Sequence, residues 1–436
     1  MEGASRIRAF ICIGGTALKK SHVFLSIISI VLLLSLSISL ASCATKVKAE
    51  NLMEGITPND VTPLNSLDSK NEKVTDFAVR LFKASEKKNE NTLISPLSVL
   101  SALSMTANGA KGETLSQMEA VLGMPVDDLN SYLYTYMKKL PQGDKYKLAL
   151  ANSIWFTEDS RFTPNTDFLQ TNADYYGADV YKAPFNNQTC KDINNWVKNN
   201  TDGMIEEILD EIPEEAVMYL VNALAFEAEW AEIYEKGQVR DGEFTKENGE
   251  KQKVKFMHSE EGKYLETHNA KGFVKYYKGG KYAFVAMLPN EGVTVSDYVA
   301  SLDGNSLYNL LKDPKNISVE AAIPKFETEF SCNMNEILIN MGMKNAFDGD
   351  LADFSGLGSS SRGNIFISRV LHKTFISVAE KGTKAGAATV VEMLEECAIE
   401  KPEDVKRVYL DRPFLYMLVD CENNIPFFIG TLITVE

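Results

Sequence analysis

The spacing of apolar residues predicts helices mainly in the first half of the chain. Apolar side chains recur at intervals of three and four, as on one face of a helix, at Val74, Phe77, Ala78, Leu81 and Phe82. The same spacing predicts a helix from Ser95-Pro96 to Met105, which Asn108-Gly109 would end, and another over residues 113–122. Further helical segments are predicted around Ile193, Trp196, Val197, Ile205 and Ile208.

Strands are predicted mainly in the second half of the chain. Alternating or continuously apolar segments of strand length cover residues 147–156, 217–226, 317–326 and 366–379. Two hairpins are predicted, one over residues 273–288 around Gly279-Gly280 and one over residues 409–435 around a polar turn at 422–424. Because the helices cluster early and the antiparallel strands late, the fold class is expected to be α+β.

Composition and charge exclude one class of partner. The 436 residues include 45 Lys and Arg against 60 Asp and Glu, a net charge of −15, and 44% of the residues are hydrophobic. This is the composition of a globular protein. Such an acidic chain is poorly suited to the phosphate backbone, so we expect no nucleic-acid partner.

The N-terminus predicts export and anchoring. Basic residues precede an uncharged run over residues 23–40, as in a secretory signal. The following Leu40-Ala41-Ser42-Cys43 resembles a bacterial lipobox. We therefore expect residues 1–42 to be a signal peptide, and an acylated Cys43 to hold the protein on the outer side of the bacterial cell membrane. The run of 18 residues also reaches the lower limit for a membrane span, so a retained single-span anchor is the alternative.

The remainder is expected to form a flexible tether followed by one domain. Residues 43–71 contain Pro58, Pro63 and Gly55 among polar residues and show no apolar period. No second linker or internal repeat interrupts residues 72–436. The cysteines outside the signal and the lipobox lack metal-type spacing, and a disulfide among them stays open; they are Cys190, Cys332, Cys397 and Cys421.

Catalytic and cofactor motifs are absent from the sequence. It contains no Gly-x-Ser-x-Gly, His-Glu-x-x-His, phosphate loop or Gly-x-Gly-x-x-Gly. His258 and His268 lie in a polar stretch typical of solvated surface, and His372 lies in an apolar strand, where a histidine is more often a core residue. We expect no enzyme, no metal and no cofactor.

Residues 380–393 combine the features of an exposed loop and of a strand. Their small side chains are typical of a loop, but they also alternate with a period of two. One side is small or apolar: Thr383, Ala385, Ala387, Thr389, Val391 and Met393. The charges are confined to the other side: Lys384, Gly386, Ala388, Val390 and Glu392. The segment could therefore be a loop that is able to become a strand.

Several separated motifs, in order, resemble the serpin family over residues 72–436. The hinge of inhibitory members is matched by Glu380, Gly382, Thr383, Ala385, Gly386, Ala387, Ala388 and Thr389. The C-terminal signature is similar to residues 408–415, and the closing strand to Phe428-Ile429-Gly430. The resemblance also assigns a shutter and an entry point for the loop to Ser95, Ser98, Asn222, His372 and Trp230.

This resemblance implies a fold, a mechanism and a partner. Helices would surround three mainly antiparallel β-sheets, with an exposed reactive loop at about residues 380–405. A target endopeptidase, of the serine class or alternatively the cysteine class, would cut the loop and be trapped as an acyl-enzyme when the loop inserts into the main sheet. The inhibitor would be a monomer. The alternative is a serpin fold without inhibition, in a binding or structural lipoprotein.

The family's spacing implies where the loop is cut. The residue before the cut usually lies 16 positions after the hinge glutamate, which gives Glu396, followed by Cys397. A glutamate there would suit a Glu-preferring serine protease. The segment from Glu396 to Pro413 is longer than in many relatives, so every bond from Met393 to Cys397 stays open.

Overall fold

The computed structural model describes residues 47–140, 143–158, 162–213, 216–360, 363–383 and 405–435. The helices of this part are α1 (Asp68–Ser85), α2 (Pro96–Ala107), α3 (Gly112–Leu122), α4 (Val126–Lys139), α5 (Thr166–Tyr176), α6 (Asn187–Asn200), α7 (Val295–Ser301), α8 (Gly304–Lys312) and α9 (Asn335–Met341). Short 3-10 turns cover Lys236–Gln238 and Asn345–Phe347.

The strands of the described part, in chain order, are β1 (Glu50–Asn51), β2 (Thr92–Ile94), β3 (Tyr146–Thr157), β4 (Phe162–Pro164), β5 (Asp179–Ala183), β6 (Met218–Glu229), β7 (Val239–Thr245), β8 (Lys251–Glu261), β9 (Tyr264–Glu266), β10 (Ala270–Tyr276), β11 (Tyr282–Pro289), β12 (Val319–Pro324), β13 (Phe326–Asn333), β14 (Gly358–Ser360), β15 (Arg369–Ala379), β16 (Gly382–Thr383), β17 (Lys406–Tyr409), β18 (Phe414–Asp420) and β19 (Ile425–Leu432).

Most strands belong to three sheets, and most of their pairings are antiparallel. The main sheet has the order β1-β5-β3-β6-β16-β15-β13, the second sheet β2-β19-β18-β11-β10-β9, and the third sheet β17-β12-β8-β7. The parallel pairs are β3–β5, β6–β15 and β12–β17. Strands β4 and β14 form a separate pair. The α+β class expected from the sequence is confirmed.

The main sheet is covered on both faces. Alternate residues of β6, including Met218 and Leu220, belong to the large core that also contains helix α2 and the second sheet. Residues of opposite parity, including Tyr219 and Val221, pack with Trp196 of α6 in a smaller cluster. A strand that enters this sheet must therefore fit a packed core on one side.

The segment before α1 is ordered along the domain. Strand β1 pairs antiparallel with β5, and the backbone N–H groups of Lys48 and Ala49 both donate to Asp192 Oδ2 at 3.1 Å. Further along, the backbone N–H of Leu64 donates to Thr135 Oγ1 at 2.8 Å. Over residues 47–67 these contacts correct the expectation of a flexible tether, because backbone groups that the sequence pattern left unassigned find partners on the domain surface.

Two other expectations are wrong in detail. Helix α6 ends at Asn200, and Ile205 lies beyond it, because the Thr201 hydroxyl accepts the backbone N–H of Ile205 and closes a turn. The strand predicted over residues 317–326 is two strands, since β12 ends at Pro324 in the third sheet and β13 begins at Phe326 in the main sheet. Among the described residues, no helix is both long enough and apolar enough to cross a membrane.

Candidate functional site

The strands β6 and β15 separate partway along the main sheet. They pair directly from Tyr219 opposite Arg369 to Asn222 opposite His372. Beyond that point, the described part of the structure has no pairing between residues 223–227 and residues 373–377. We call this interval the slot.

Strand β16 lies directly above the slot, at the end away from the direct β6–β15 pairing. Gly382 lies between Glu229 and Ala379, and Thr383 lies between Ala228 and Val378, so both residues pair with β6 and with β15. The chain that leaves β15 therefore turns back and begins a new strand in the main sheet. The direction of this strand is antiparallel to both neighbours.

The first position of β16 has room for glycine alone. A Cβ atom on Gly382 would lie 1.9 Å from the Ala228 carbonyl oxygen and 2.9 Å from Glu229 Cα. Thr383 follows and is buried, with its hydroxyl hydrogen-bonded to the hydroxyl of Tyr277. Burial raises the pKa of Tyr277 above its usual value, so this phenol stays protonated.

Trp230 holds the turn that leads into β16. Its indole N–H donates to the Ala379 carbonyl at 2.8 Å, and its backbone N–H donates to the Lys381 carbonyl at 2.9 Å. Its ring is stacked on that of Tyr277, with centroids 4.4 Å apart and planes at 8°. The family resemblance assigned Trp230 to the entry point of the loop; the structure shows its contact with this turn, and the role in loop entry stays a prediction.

The carboxylate of Glu380 makes the outer contact of the same turn. It lies 2.7 Å from the Lys325 ammonium. Burial alone would raise the pKa of Glu380, but the hydrogen bond from Lys325 and that group's charge lower it below its usual value. Its backbone carbonyl accepts the N–H of Tyr234 at 2.9 Å.

A buried ion pair beneath these residues was not predicted. The Lys275 ammonium lies 2.8 Å from Glu261 Oε1, and both residues are largely shielded from solvent. The same ammonium lies 4.4 Å from the Tyr234 ring centroid and 5.4 Å from that of Trp230. The signal in the sequence was Lys275, which follows the apolar residues Phe273 and Val274 in strand β10. It supports the two aromatic residues that hold the turn.

The structure brings Ser95, Ser98, Asn222 and His372 together below the slot. His372 Nε2 accepts the backbone N–H of Ser95 at 3.1 Å, so the ring proton is on Nδ1, which lies 3.1 Å from Asn222 Oδ1. The same oxygen accepts the Ser98 hydroxyl at 2.7 Å. The Asn222 amide nitrogen has no partner among the described residues. The shutter role of these residues stays a prediction.

Burial determines the charge state of this cluster. Removal from solvent lowers the pKa of His372 from 6.5 to about 3, so its imidazole is neutral at ordinary pH. A neutral ring can accept one hydrogen bond and donate another, as it does here. The cluster is therefore held by hydrogen bonds rather than by charge.

The other predicted site residues lie outside the described residues. They are Ala385, Gly386, Ala387, Ala388, Thr389, Glu396, Cys397 and Cys43. In the described part, Cys190, Cys332 and Cys421 are free thiols, and no group of three or more His, Cys, Asp or Glu residues could hold a metal ion.

The chain is similar to known proteins over nearly all of the part that the structure describes. The sequence model of the family described as "Serpin (serine protease inhibitor)" matches residues 72–435. The chain belongs to the serpin family. Human serpin B8 is 31% identical over 368 residues, covering 81% of this serpin and 96% of that protein. An uncharacterised serpin-like protein of Thermococcus kodakarensis is 30% identical over 367 residues, covering 82% of this chain and 84% of its own length.

Solved structures of a thermophilic serpin, tengpin, confirm the fold. Its native state matches with a TM-score of 0.85 at 51% identity, covering 89% of this serpin and 100% of that chain. Its latent state matches with a TM-score of 0.76 at 48% identity, covering 86% and 100%. This serpin is therefore more similar to the native form than to the latent form.

Proposed function

We propose that this serpin is a suicide inhibitor of serine endopeptidases. The protease serine would attack the carbonyl of Glu396, forming an ester, while the peptide bond breaks and the amine of Cys397 leaves. The cut loop would then continue β16 down the slot and carry the acylated protease away before water can hydrolyse the ester. The main support for this proposal is the pairing of β16 with both β6 and β15 in the described structure.

The pairing of β16 fixes the register of such an insertion. Thr383 lies opposite Ala228, and each further residue of the loop would move one residue down β6. Six steps place Thr389 opposite Asn222, because 383 plus 6 is 389 and 228 minus 6 is 222. The same count from Val378 along β15 reaches His372. The proposed strand thus reaches the hydrogen-bonded cluster below the slot.

The same register assigns the small residues to the core side. Thr383 is buried, and inserted residues of the same parity would also face the core. They include Ala385 and Ala387, which would lie opposite Phe226 and Leu224 of the packed core. Large or charged side chains there would clash or remain unpaired.

Insertion would release free energy in the cleaved form. Each added ladder hydrogen bond contributes about 1 kcal/mol net, and buried apolar area contributes about 25 cal/mol per Å². Over a strand of this length the sum is several kcal/mol after ordering costs. The intact protein would be kinetically trapped short of this state.

The test compares a hinge variant with its neighbour. Thr383→Arg places a guanidinium at a buried position, so we expect the protease to cut the loop without being trapped. Lys384→Glu, facing outward in the same register, should leave trapping unchanged. SDS-stable complexes with a panel of serine proteases are the readout, and the new N-terminus of the released fragment identifies the bond among Met393 to Cys397. Equal trapping by both variants would contradict the insertion register.

A melting experiment separates inhibition from the non-inhibitory alternative. The loop is nicked, the fragments are shown to stay together, and the thermal midpoint is compared with that of intact protein at matched scan rates. Insertion predicts a rise of more than about 10 °C. Equal midpoints would favour a binding or structural serpin instead.

We also propose a cellular location for the inhibitor. Acylation at Cys43 would hold it as a monomer on the outer side of the bacterial cell membrane, where extracytoplasmic proteases are met. Its support is the lipobox-like sequence and the basic flank before residues 23–40. The target protease would belong to the serine class, with the cysteine class as the alternative.

A further inference from the structure

The segment before α1 reaches the domain at the end of the main sheet that lies opposite β16. We call this end the lower end. Glu50 of β1 pairs with Lys182 of β5, which also pairs with Phe156 of β3. Phe156 pairs in turn with Met218, the first residue of β6. Ten residues further along β6, Ala228 pairs with β16, at a distance of about 33 Å for a rise of about 3.3 Å per residue.

The residues before β1 are fixed at the lower end. Strand β1 is antiparallel to β5, β5 is parallel to β3, and β3 is antiparallel to β6, so β1 runs in the same direction as β6, away from the lower end. The backbone N–H groups of Lys48 and Ala49 both donate to Asp192 Oδ2 at 3.1 Å. The side chains of Val47 and Ala49 pack against the smaller core cluster.

This docking leaves the proposed lipid little reach. Cys43 and Val47 are four residues apart, so their Cα atoms can be separated by at most about 14 Å. A tether that was free up to Leu67, just before α1, would reach about 80 Å when extended. The longer reach would let any side of the domain meet the membrane, whereas the shorter one is less than half the distance from the lower end to β16.

We propose that the lower end of the main sheet faces the lipid surface in the anchored protein, and that the end carrying β16 points away from it. The inference rests on the acylation of Cys43 in the proposed function, and it adds the orientation of the domain. The hinge would then face the aqueous side, so the proteases that the anchored inhibitor meets would be soluble enzymes rather than enzymes embedded in the same membrane.

An exposed apolar side chain lies at the lower end. Leu351 is 59% exposed, and the adjacent Asp350 lines a cavity together with Phe156. Burying a leucine against lipid removes its apolar surface from water. Among the described residues, the other exposed large apolar side chain is that of Ile233, in the segment whose neighbouring backbone N–H groups hold the turn before β16. These two positions therefore mark opposite ends of the sheet.

The test measures how close each end lies to a bilayer. Leu351→Trp and Ile233→Trp are prepared as acylated full-length proteins and reconstituted into phosphatidylcholine vesicles that contain a dansyl-headgroup lipid as energy acceptor. The signal of the unmodified protein, whose own tryptophans are buried, is subtracted. Energy transfer falls steeply with distance, so we expect it to be several-fold greater from position 351 than from position 233. Zwitterionic lipid is used because Asp350 would be repelled by an anionic surface.

A spacer variant tests whether the docked segment sets the orientation. A flexible Gly-Ser insertion of about 20 residues between positions 46 and 47 extends the reach of the lipid to about 80 Å. It changes no contact of the described residues, so the thermal midpoint should not change, while the difference between positions 351 and 233 should shrink. A difference that stays the same would overturn the role of the docked segment.

The outcomes distinguish this inference from the proposed function. If the acylated protein stays on the vesicles and both positions transfer energy equally, the orientation is overturned and the anchor stands. If the protein carries no acyl chain and does not stay on the vesicles, the anchor is overturned, and the orientation with it. Protease trapping is measured separately on Cys43→Ala, so a failure of inhibition is not confused with either result.

Discussion

The hydroxyl groups of Tyr277 and Thr383 are hydrogen-bonded to each other inside the main sheet. Tyr277 is also stacked on Trp230, whose backbone and indole N–H groups hold the turn before β16. The first inward residue of the hinge is thus fixed to the same aromatic pair that fixes the turn. This contact orders the start of the proposed insertion before any cleavage.

The first prediction measures the coupling between these two hydroxyls. Tyr277→Phe and Thr383→Val each remove one partner of a buried hydrogen bond, so each should destabilise the intact protein. Their effects should not add, and a double-mutant cycle in denaturant should give a coupling free energy of about 1 kcal/mol. Thr383→Ser keeps a hydroxyl and serves as the control. Additive single effects would show that the contact contributes no stability.

The second prediction concerns the close approach of Gly382 to β6. Gly382→Ala would force its Cβ against the Ala228 carbonyl, so the two-sided pairing of β16 should be lost. We expect a destabilisation of at least about 1 kcal/mol and a shift from trapped complex to cleaved product in a protease assay. Gly262→Ala is the control, since nothing lies within 4 Å of its added Cβ. Unimpaired trapping by Gly382→Ala would contradict the register.

The sequence predicted only part of the arrangement around β16. The period of two correctly gave the buried side of Thr383, because alternation in a strand is a local property. The pairing of β16 in the intact protein depends on where β6 and β15 separate, which no local pattern encodes. The Lys275–Glu261 pair was missed for a related reason: isolated charged residues are usually solvated, and only the tertiary fold buries these two together.

The fold likewise has elements that local sequence patterns predicted and elements that they did not. The hairpin predicted around Gly279-Gly280 is present. The two glycines have positive φ angles of 83° and 65°. Glycine adopts such angles readily, so the pair was a local signal for the turn. The split of residues 317–326 between two sheets was missed, although Pro324 lies at the break and the phase of the buried positions changes there, from Val319 and Ala321 in β12 to Phe326 in β13. Helices α4 and α5 were also missed, since polar residues interrupt their apolar faces.

The third prediction uses the pKa of His372. Burial lowers the pKa from 6.5 to about 3, so between these pH values the unfolded chain binds a proton that the native state does not. The free energy of unfolding therefore does not depend on His372 protonation above about pH 6.5. It decreases as the pH falls from 6.5 toward 3, because the unfolded chain takes up the proton. The slope reaches about 1.4 kcal/mol per pH unit. Comparing the pH dependence of unfolding with that of His372→Gln isolates it, and parallel curves would contradict the assignment.

The fourth prediction concerns the anchor. Cys43→Ala removes the only thiol of the lipobox-like sequence, so incorporation of labelled fatty acid should be abolished and the protein should be released from the membrane. Protease trapping should persist, because the domain that contains β16 is unchanged. Retention at the membrane without lipid labelling would instead indicate a single-span anchor formed by residues 23–40.

The last prediction follows the inserted strand to the cluster below the slot. In the proposed register, Thr389 would lie between Asn222 and His372 and would break the contact between His372 Nδ1 and Asn222 Oδ1. A hydroxyl donates one hydrogen bond and accepts others, so Thr389 could pair with both side chains, including the Asn222 amide nitrogen, which has no partner within the part of the chain that the structure describes. Thr389→Val keeps the shape but leaves these buried groups unsatisfied, at a cost of about 1–3 kcal/mol. We therefore expect the variant to lower the thermal midpoint of the cleaved form by several degrees, while the intact form is unchanged. Thr389→Ser should behave like the unmodified protein, and an unaffected cleaved form of Thr389→Val would mean that the strand stops above Asn222 or enters in another register.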